Sequence, residues 1–189
     1  MKRVIPGLAV ILPLLLASAG SHAAQVTRSG TAVTVRGSIG PGDDLEFEKV
    51  APQGSYRTVT LSSNGAGEGG LPAAVAMARN IKATGATTIV NASGNICGSA
   101  CTLLFVAGAQ RIYAGGDRIV EGVRSKGQSG LGFHQARSPK GTALMASVYS
   151  EMGVPAGAEL SRQSPFGTFY YVSGATAMST GVATSLKRP

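Results

Sequence analysis

The sequence predicts an α/β fold of repeated strand–helix units. Two observations carry that expectation. Short β-branched runs such as Tyr56–Leu61 and Thr87–Val90 alternate with apolar helical stretches such as Leu71–Ala83. Glycine-rich segments separate them, as at Ser62–Gly70 and Gly115–Asp117. Strand, loop and helix repeated in this order imply right-handed crossovers, with functional residues at the carboxyl ends of the strands.

The N-terminus is set apart from that pattern. Lys2 and Arg3 are basic, Val4 to Ala17 is apolar, and Ser18 to Ala24 is small and polar. This is the three-part form of a secretory signal peptide. Cleavage after Ala23 puts Ser21 and Ala23 at the two small-residue positions, giving a leader of residues 1–23 and one α/β domain over residues 24–189. An uncleaved anchor is the competing reading, but the apolar run is shorter than the ~20 residues of a bilayer span. The expected location is periplasmic or secreted, with no stable membrane anchor once the leader is removed.

Along the mature chain, Thr31–Arg36 alternates as a strand and Gly40–Asp44 is a turn. Leu45–Val50 fits a strand or a short helix. Tyr56–Leu61 is a strand, followed by the glycine-rich loop. Leu71–Ala83 is a helix with Val75, Ala78 and Ile81 on one side and Arg79 and Lys82 on the other, stopped by Gly85. Thr87–Val90 is a strand. Asn95–Ala100 then reads as a polar loop feeding an apolar helix through Ala109. Arg111–Ala114 is a short strand. Residues 118–130 read as an irregular exposed insertion. Leu131–His134 is a strand ending on the histidine. Helices are expected over Thr142–Met152 and Pro155–Arg162, a strand over Phe169–Val172, and a short helix over Gly174–Thr180.

Composition narrows the chemistry. The chain has 17 Lys and Arg against 9 Asp and Glu, a net charge of +8. The basic residues are scattered and aromatics do not interleave with them, so a solvated basic surface is expected and nucleic-acid binding is not. Cys97 and Cys101 are the only two cysteines. Export favours a disulfide between them, and four residues on a helix separate Cα atoms by roughly 6 Å, inside the permitted range. Two buried thiols, or half of a metal site, are the alternatives. With His22 in the leader, His134 is the one histidine of the mature chain, so a metal site lacks partners and no metal or cofactor is expected.

Ser99 sits where a loop enters a helix, between the two cysteines, and is the best nucleophile candidate. Any serine–histidine chemistry must use His134. Each alone has a bland reading, a helix-capping serine and a strand-end histidine. A serine hydrolase needs nucleophile, base and backbone donors for the oxyanion, and each occurs once here at the end of a strand. The glycine loop matches neither phosphate-binding pattern.

Strand, glycine loop, helix, strand, Cys97-Gly98-Ser99-Ala100-Cys101, an apolar helix ending Ala107-Gly108-Ala109, Arg111, then Gly132-Phe133-His134 resembles the Clp protease proteolytic subunit within the crotonase-like superfamily. It resembles still more closely a group of predicted bacterial periplasmic proteins with that fold. The resemblance spans roughly residues 40–184. It implies a crotonase-like (Clp protease-like) fold, Ser99 as nucleophile, His134 as general base, and Gly69 and Gly70 as oxyanion donors, with Gly65 and Ala66 as a second placement. It also implies a peptide or acyl substrate and a homo-oligomer.

Three positions depart from the family. The serine-to-histidine interval is long, matching the 118–130 insertion, and Glu68 stands where the family has glycine. The triad aspartate is missing: the segment before the last strand reads Ser164-Pro165-Phe166-Gly167-Thr168-Phe169, and the only acids after His134 are Glu151 and Glu159. A dyad, a triad completed by Glu151 or Glu159, and a non-catalytic binding or scaffold protein all fit. An acyl-CoA enzyme ranks below these, because export separates the chain from coenzyme A.

Overall fold

A computed structural model describes residues 23–187. The predicted leader, residues 1–23, lies outside the described residues apart from Ala23. In chain order the elements are β1 (Gln25–Ser29), β2 (Ala32–Arg36), α1 (Asp43–Val50), β3 (Thr58–Ser62), α2 (Leu71–Thr84), β4 (Thr87–Asn91) and β5 (Ile96–Gly98). They continue with α3 (Cys101–Val106), β6 (Gln110–Ala114), β7 (Gly122–Ser125), β8 (Gly130–Phe133), α4 (Pro139–Met152), α5 (Ala156–Arg162), β9 (Thr168–Tyr171) and α6 (Gly174–Ser179).

Two sheets form. The first runs β1-β2-β3-β4-β6. Its strands β2, β3, β4 and β6 are parallel, and β1 folds back antiparallel on β2. The parallel strands are rich in Val, Ile and Thr because helices and the second sheet cover them. The second sheet runs β5-β8-β9-β7, with β5 parallel to β8 and β9 antiparallel to both β8 and β7. A bridge between Ser63 and Cys97 joins the two, so the chain leaving β3 runs directly beside β5.

Helix α3 lies at the centre. All six of its residues are buried, which explains the unbroken apolar run after the serine turn. Its one polar side chain, Thr102, is satisfied by the Ser99 carbonyl at 2.6 Å and by the Tyr149 hydroxyl.

One open alternative is settled and two local expectations change. Leu45–Val50 is the body of a helix; Asp43, Asp44 and Glu46 in its first turn suit the positive end of its dipole. Residues 96–98 form a strand, because pairing with Leu131 and Gly132 satisfies their backbone. The 118–130 insertion contributes β7, which caps the second sheet by pairing with β9. Val123, alternating outward there, is exposed.

Candidate active site

Ser99 follows β5 directly, and its N–H donates to the Gly132 carbonyl of β8 at 2.9 Å. Its φ is 54°, and among the described residues it is the one non-glycine with positive φ. A left-handed residue with a Cβ costs about 1–2 kcal/mol, so the surroundings must impose it. Several contacts do. Cys97 and Cys101 are joined by a disulfide that spans the turn, with Cα atoms 5.2 Å apart. The Thr102 N–H and hydroxyl both donate to the Ser99 carbonyl. Gly65 packs against the turn so closely that a Cβ there would lie 2.4 Å from Ser99 Cβ and 2.6 Å from the Gly98 carbonyl oxygen. The Ser99 side chain is partly exposed, and its hydroxyl has no hydrogen-bond partner among the described residues.

The 63–70 loop supplies backbone beside Ser99, and the primary pair divides there: Gly69 lines the Ser99 cavity and Gly70 does not. The Gly70 N–H is bonded to the Gly67 carbonyl at 3.1 Å, and Gly70 packs on the other side of the loop. A Cβ at Gly70 would fall 2.1 Å from the Ile39 carbonyl oxygen, and one at Gly69 3.3 Å from Pro41. Gly69 lines the Ser99 cavity, whereas Gly65 touches the nucleophile turn. The second placement, Gly65 and Ala66, also lies beside Ser99. The reason is the loop's own hydrogen bonding: Ile39 N–H donates to Gly65 O and Gly67 N–H to Ile39 O, which turns the N–H of Ala66 away from Ile39. Among the described residues the N–H groups of Ala66 and Ala100 have no hydrogen-bond partner, and both residues line a cavity of about 350 Å³ with Ser99.

His134 continues from β8, on the strand neighbouring β5 and at the same end of the sheet. It is 1% exposed. Its Nδ1 lies 3.0 Å from the Phe166 carbonyl oxygen. That oxygen can only accept, so Nδ1 carries the proton in the neutral ring and Nε2 keeps its lone pair. Nε2 is buried and without a partner among the described residues. The ring stacks on Phe166, centroids 5.3 Å apart, and meets Phe169 edge-on at 4.8 Å. Burial, reinforced by the charge of Lys126 and opposed by the Phe166 carbonyl, lowers the His134 pKa to about 4. The imidazole is neutral at ordinary pH.

Phe166 lies inside the 164–169 segment, where the sequence resemblance leads one to expect an aspartate. The group that meets His134 Nδ1 there is a main-chain carbonyl, which side-chain identity cannot reveal. Glu151 and Glu159 do not fill it. Glu151 forms a two-point pair with Arg79, each contact 2.9 Å, and Glu159 pairs with Arg162; neither is hydrogen-bonded to His134.

Ser99 and His134 share an end of the sheet without a hydrogen bond between them. Ser99 faces the cavity walled by Ala66, Ala100 and Phe166. His134 borders a neighbouring cavity of about 530 Å³ against α4 and α5, and Ala136, Arg137, Ser138 and Met145 line both. Phe166, 38% exposed, stacks on His134 and walls the Ser99 cavity. Lys126 from the insertion sits 4.0 Å from its ring centroid and Arg137 4.9 Å. The disulfide removes both thiols from any metal site, and no cluster of metal-ligating side chains occurs among the described residues.

No family model matches the chain, and no curated protein matches it. Solved structures do. A mutant of the 1510-N membrane-bound stomatin-specific protease in complex with a substrate peptide is 15% identical, covering 84% of this chain and 74% of its own, with a TM-score of 0.54. A putative enoyl-CoA hydratase from Streptomyces coelicolor A3(2) is 11% identical, covering 97% and 72%, with a TM-score of 0.53. The chain has the Clp protease-like, crotonase-like fold. At these identities the likeness establishes the fold alone, shared by a protease and by hydratases, and chemistry must be argued from the site. Within the Clp protease-like fold seen here, the strand-to-helix turn carries Ser99 and the next parallel strand carries His134.

Proposed function

We propose that this protein is an exported serine hydrolase acting on peptide or other acyl substrates. The observation that carries the reading is the left-handed Ser99 turn, held against Gly65 by a disulfide and by Thr102. A serine serving only as a helix cap has no need of that backbone strain. Ser99 Oγ attacks the carbonyl carbon, and His134 Nε2 takes its proton. The N–H groups of Ala66 and Ala100 hold the developing oxyanion. His134 Nε2 then returns the proton to the leaving group, and water completes the second half-reaction.

The Phe166 carbonyl does one of the two tasks of a triad carboxylate. It fixes the tautomer that leaves Nε2 free, but as a neutral acceptor it stabilises imidazolium less. The low His134 pKa comes from burial and the nearby Lys126 charge, and the Phe166 carbonyl opposes it only in part. Nε2 has no partner among the described residues, and Phe166 both stacks on His134 and walls the Ser99 cavity, so the reading includes a side-chain movement of Phe166 that brings Nε2 to Ser99. The chemistry calls for no cofactor or metal. The fold also motivates a proposal of self-association, testable by light scattering on the mature protein.

The test is covalent labelling of the mature protein by a fluorophosphonate, read by mass. One adduct on Ser99 is expected, absent in Ser99→Ala and strongly slowed in His134→Ala. The missing Ser99–His134 hydrogen bond favours a second reading, a non-catalytic binding or scaffold protein. Failure of wild-type Ser99 to label under any condition, with hydrolysis of ester and peptide panels unaffected by Ser99→Ala, establishes that second reading instead.

A further inference from the structure

Asp43 is a buried carboxylate, 4% exposed, at the first turn of α1. Its Oδ2 accepts two backbone N–H groups, from Gly40 at 2.7 Å and from Ala24 at 2.8 Å. No cation pairs with it among the described residues. A buried carboxylate held only by peptide dipoles is under-compensated, since its desolvation is best met by a full positive charge. One of its two donors is the nitrogen of the residue that follows the expected leader cleavage.

We propose that leader removal between Ala23 and Ala24 creates an α-ammonium that binds Asp43, making Asp43 the receptor for the mature N-terminus. A processing peptidase cleaves the Ala23 C–Ala24 N bond with one water. The hydroxyl goes to the Ala23 carboxyl group, which leaves with the leader. The Ala24 nitrogen becomes an amine and takes up a proton. A peptide N–H then becomes a cation with three donors, without moving the nitrogen from its 2.8 Å contact. Cleavage at either neighbouring bond leaves an amide or no nitrogen at that point, so the geometry also selects the bond.

The pair reaches toward the nucleophile through the chain it fixes. Asp43 holds the Gly40 N–H, Ile39 beside it exchanges hydrogen bonds with Gly65 and Gly67, and Gly65 packs on Ser99. The inference rests on the export reading and not on hydrolysis by Ser99. Maturation thereby tightens the loop under the nucleophile turn.

The full chain, leader included, is exported and the product characterised by N-terminal sequencing and intact mass. The expected product is residues 24–189 beginning at Ala24. Urea unfolding then compares mature protein, Asp43→Asn, a form with Gly-Ser inserted before Ala24, and the combination. The folding equilibrium constant is expected to fall about tenfold more for Asp43→Asn in the mature form than in the extended form, because only the mature form loses an ion pair. If Asp43→Asn does not fold, chemical acetylation of the mature α-amine gives the same comparison with Asp43 intact. An N-terminus other than Ala24 overturns the proposal, as does an equal cost of Asp43→Asn in both forms or an acetylated N-terminus as stable as the free one.

Discussion

Gly65→Ala is the sharpest perturbation the structure offers, because two separable costs meet at one position. Gly65 has φ of 100°, where a side chain is strained by about 1–2 kcal/mol. The new Cβ would also lie 2.4 Å from Ser99 Cβ, 2.6 Å from Gly98 O and 3.0 Å from Ala100 N. Two of those three atoms are backbone and cannot rotate away, so overpacking adds about 1–3 kcal/mol. Gly54→Ala isolates the first cost: its φ is 80° and nothing lies within 4 Å of its Cβ. A destabilisation of about 3 kcal/mol is expected for Gly65→Ala, or roughly 10 °C in Tm for a chain of this size. Gly54→Ala is expected to lose about half of that or less. The atom struck first belongs to the nucleophile, and a displacement near 1 Å at a reacting group can cost about 100-fold. Fluorophosphonate labelling of Ser99 should fall by that order in Gly65→Ala and stay at the wild-type rate in Gly54→Ala. Equal melting temperatures for the two variants, with equal labelling rates, refute the placement of Gly65 under Ser99.

Further outcomes follow from the rest of the site. With the His134 pKa lowered to about 4, labelling should stay flat down to that pH and fall below it; a fall centred at 6.5 shows an unburied ring. Because the folded pKa lies below the unfolded one, the unfolded chain binds more protons between about 4 and 6.5, so stability drops as pH falls through that window. Urea titrations should show that slope, of order a few kcal/mol, vanish in His134→Asn. Lys126→Gln removes a charge that opposes imidazolium and should move the labelling midpoint upward; an unchanged midpoint removes Lys126 from the site's electrostatics. The double variant Cys97→Ala/Cys101→Ala releases a short loop, worth about 2 kcal/mol. It should slow Ser99 labelling as well as lower the urea midpoint, and labelling at full rate denies the disulfide a part in shaping the turn. Glu151→Gln should leave labelling within about twofold and cost under about 1 kcal/mol, since an exposed pair with Arg79 contributes little. A loss comparable to His134→Ala makes Glu151 the third member after all.

What could be read from the residues was whatever their local chemistry enforces. The unbroken apolar stretch from Leu103 to Ala107 can only be buried, and it is the central helix. The β-branched runs at Thr58–Ser62 and Thr87–Asn91 became neighbouring parallel strands. The two cysteines flanking Ser99 form the disulfide that was one of the expected alternatives. What could not be read depended on groups every residue shares. The Phe166 carbonyl, the Ala100 N–H group and the 54° φ of Ser99 are main-chain features, invisible in side-chain identity, and Ala66 was reachable only as the second placement that the family resemblance offered. The division of the strands into two sheets, and the packing of Gly65 beneath the serine, were settled by hydrogen bonds between residues distant in sequence, such as Ile39 with Gly65 and Ser63 with Cys97. Sequence thus determined which side chains were available for chemistry. Tertiary structure decided which backbone surrounds them, because main-chain donors and acceptors acquire a direction only once the chain has folded.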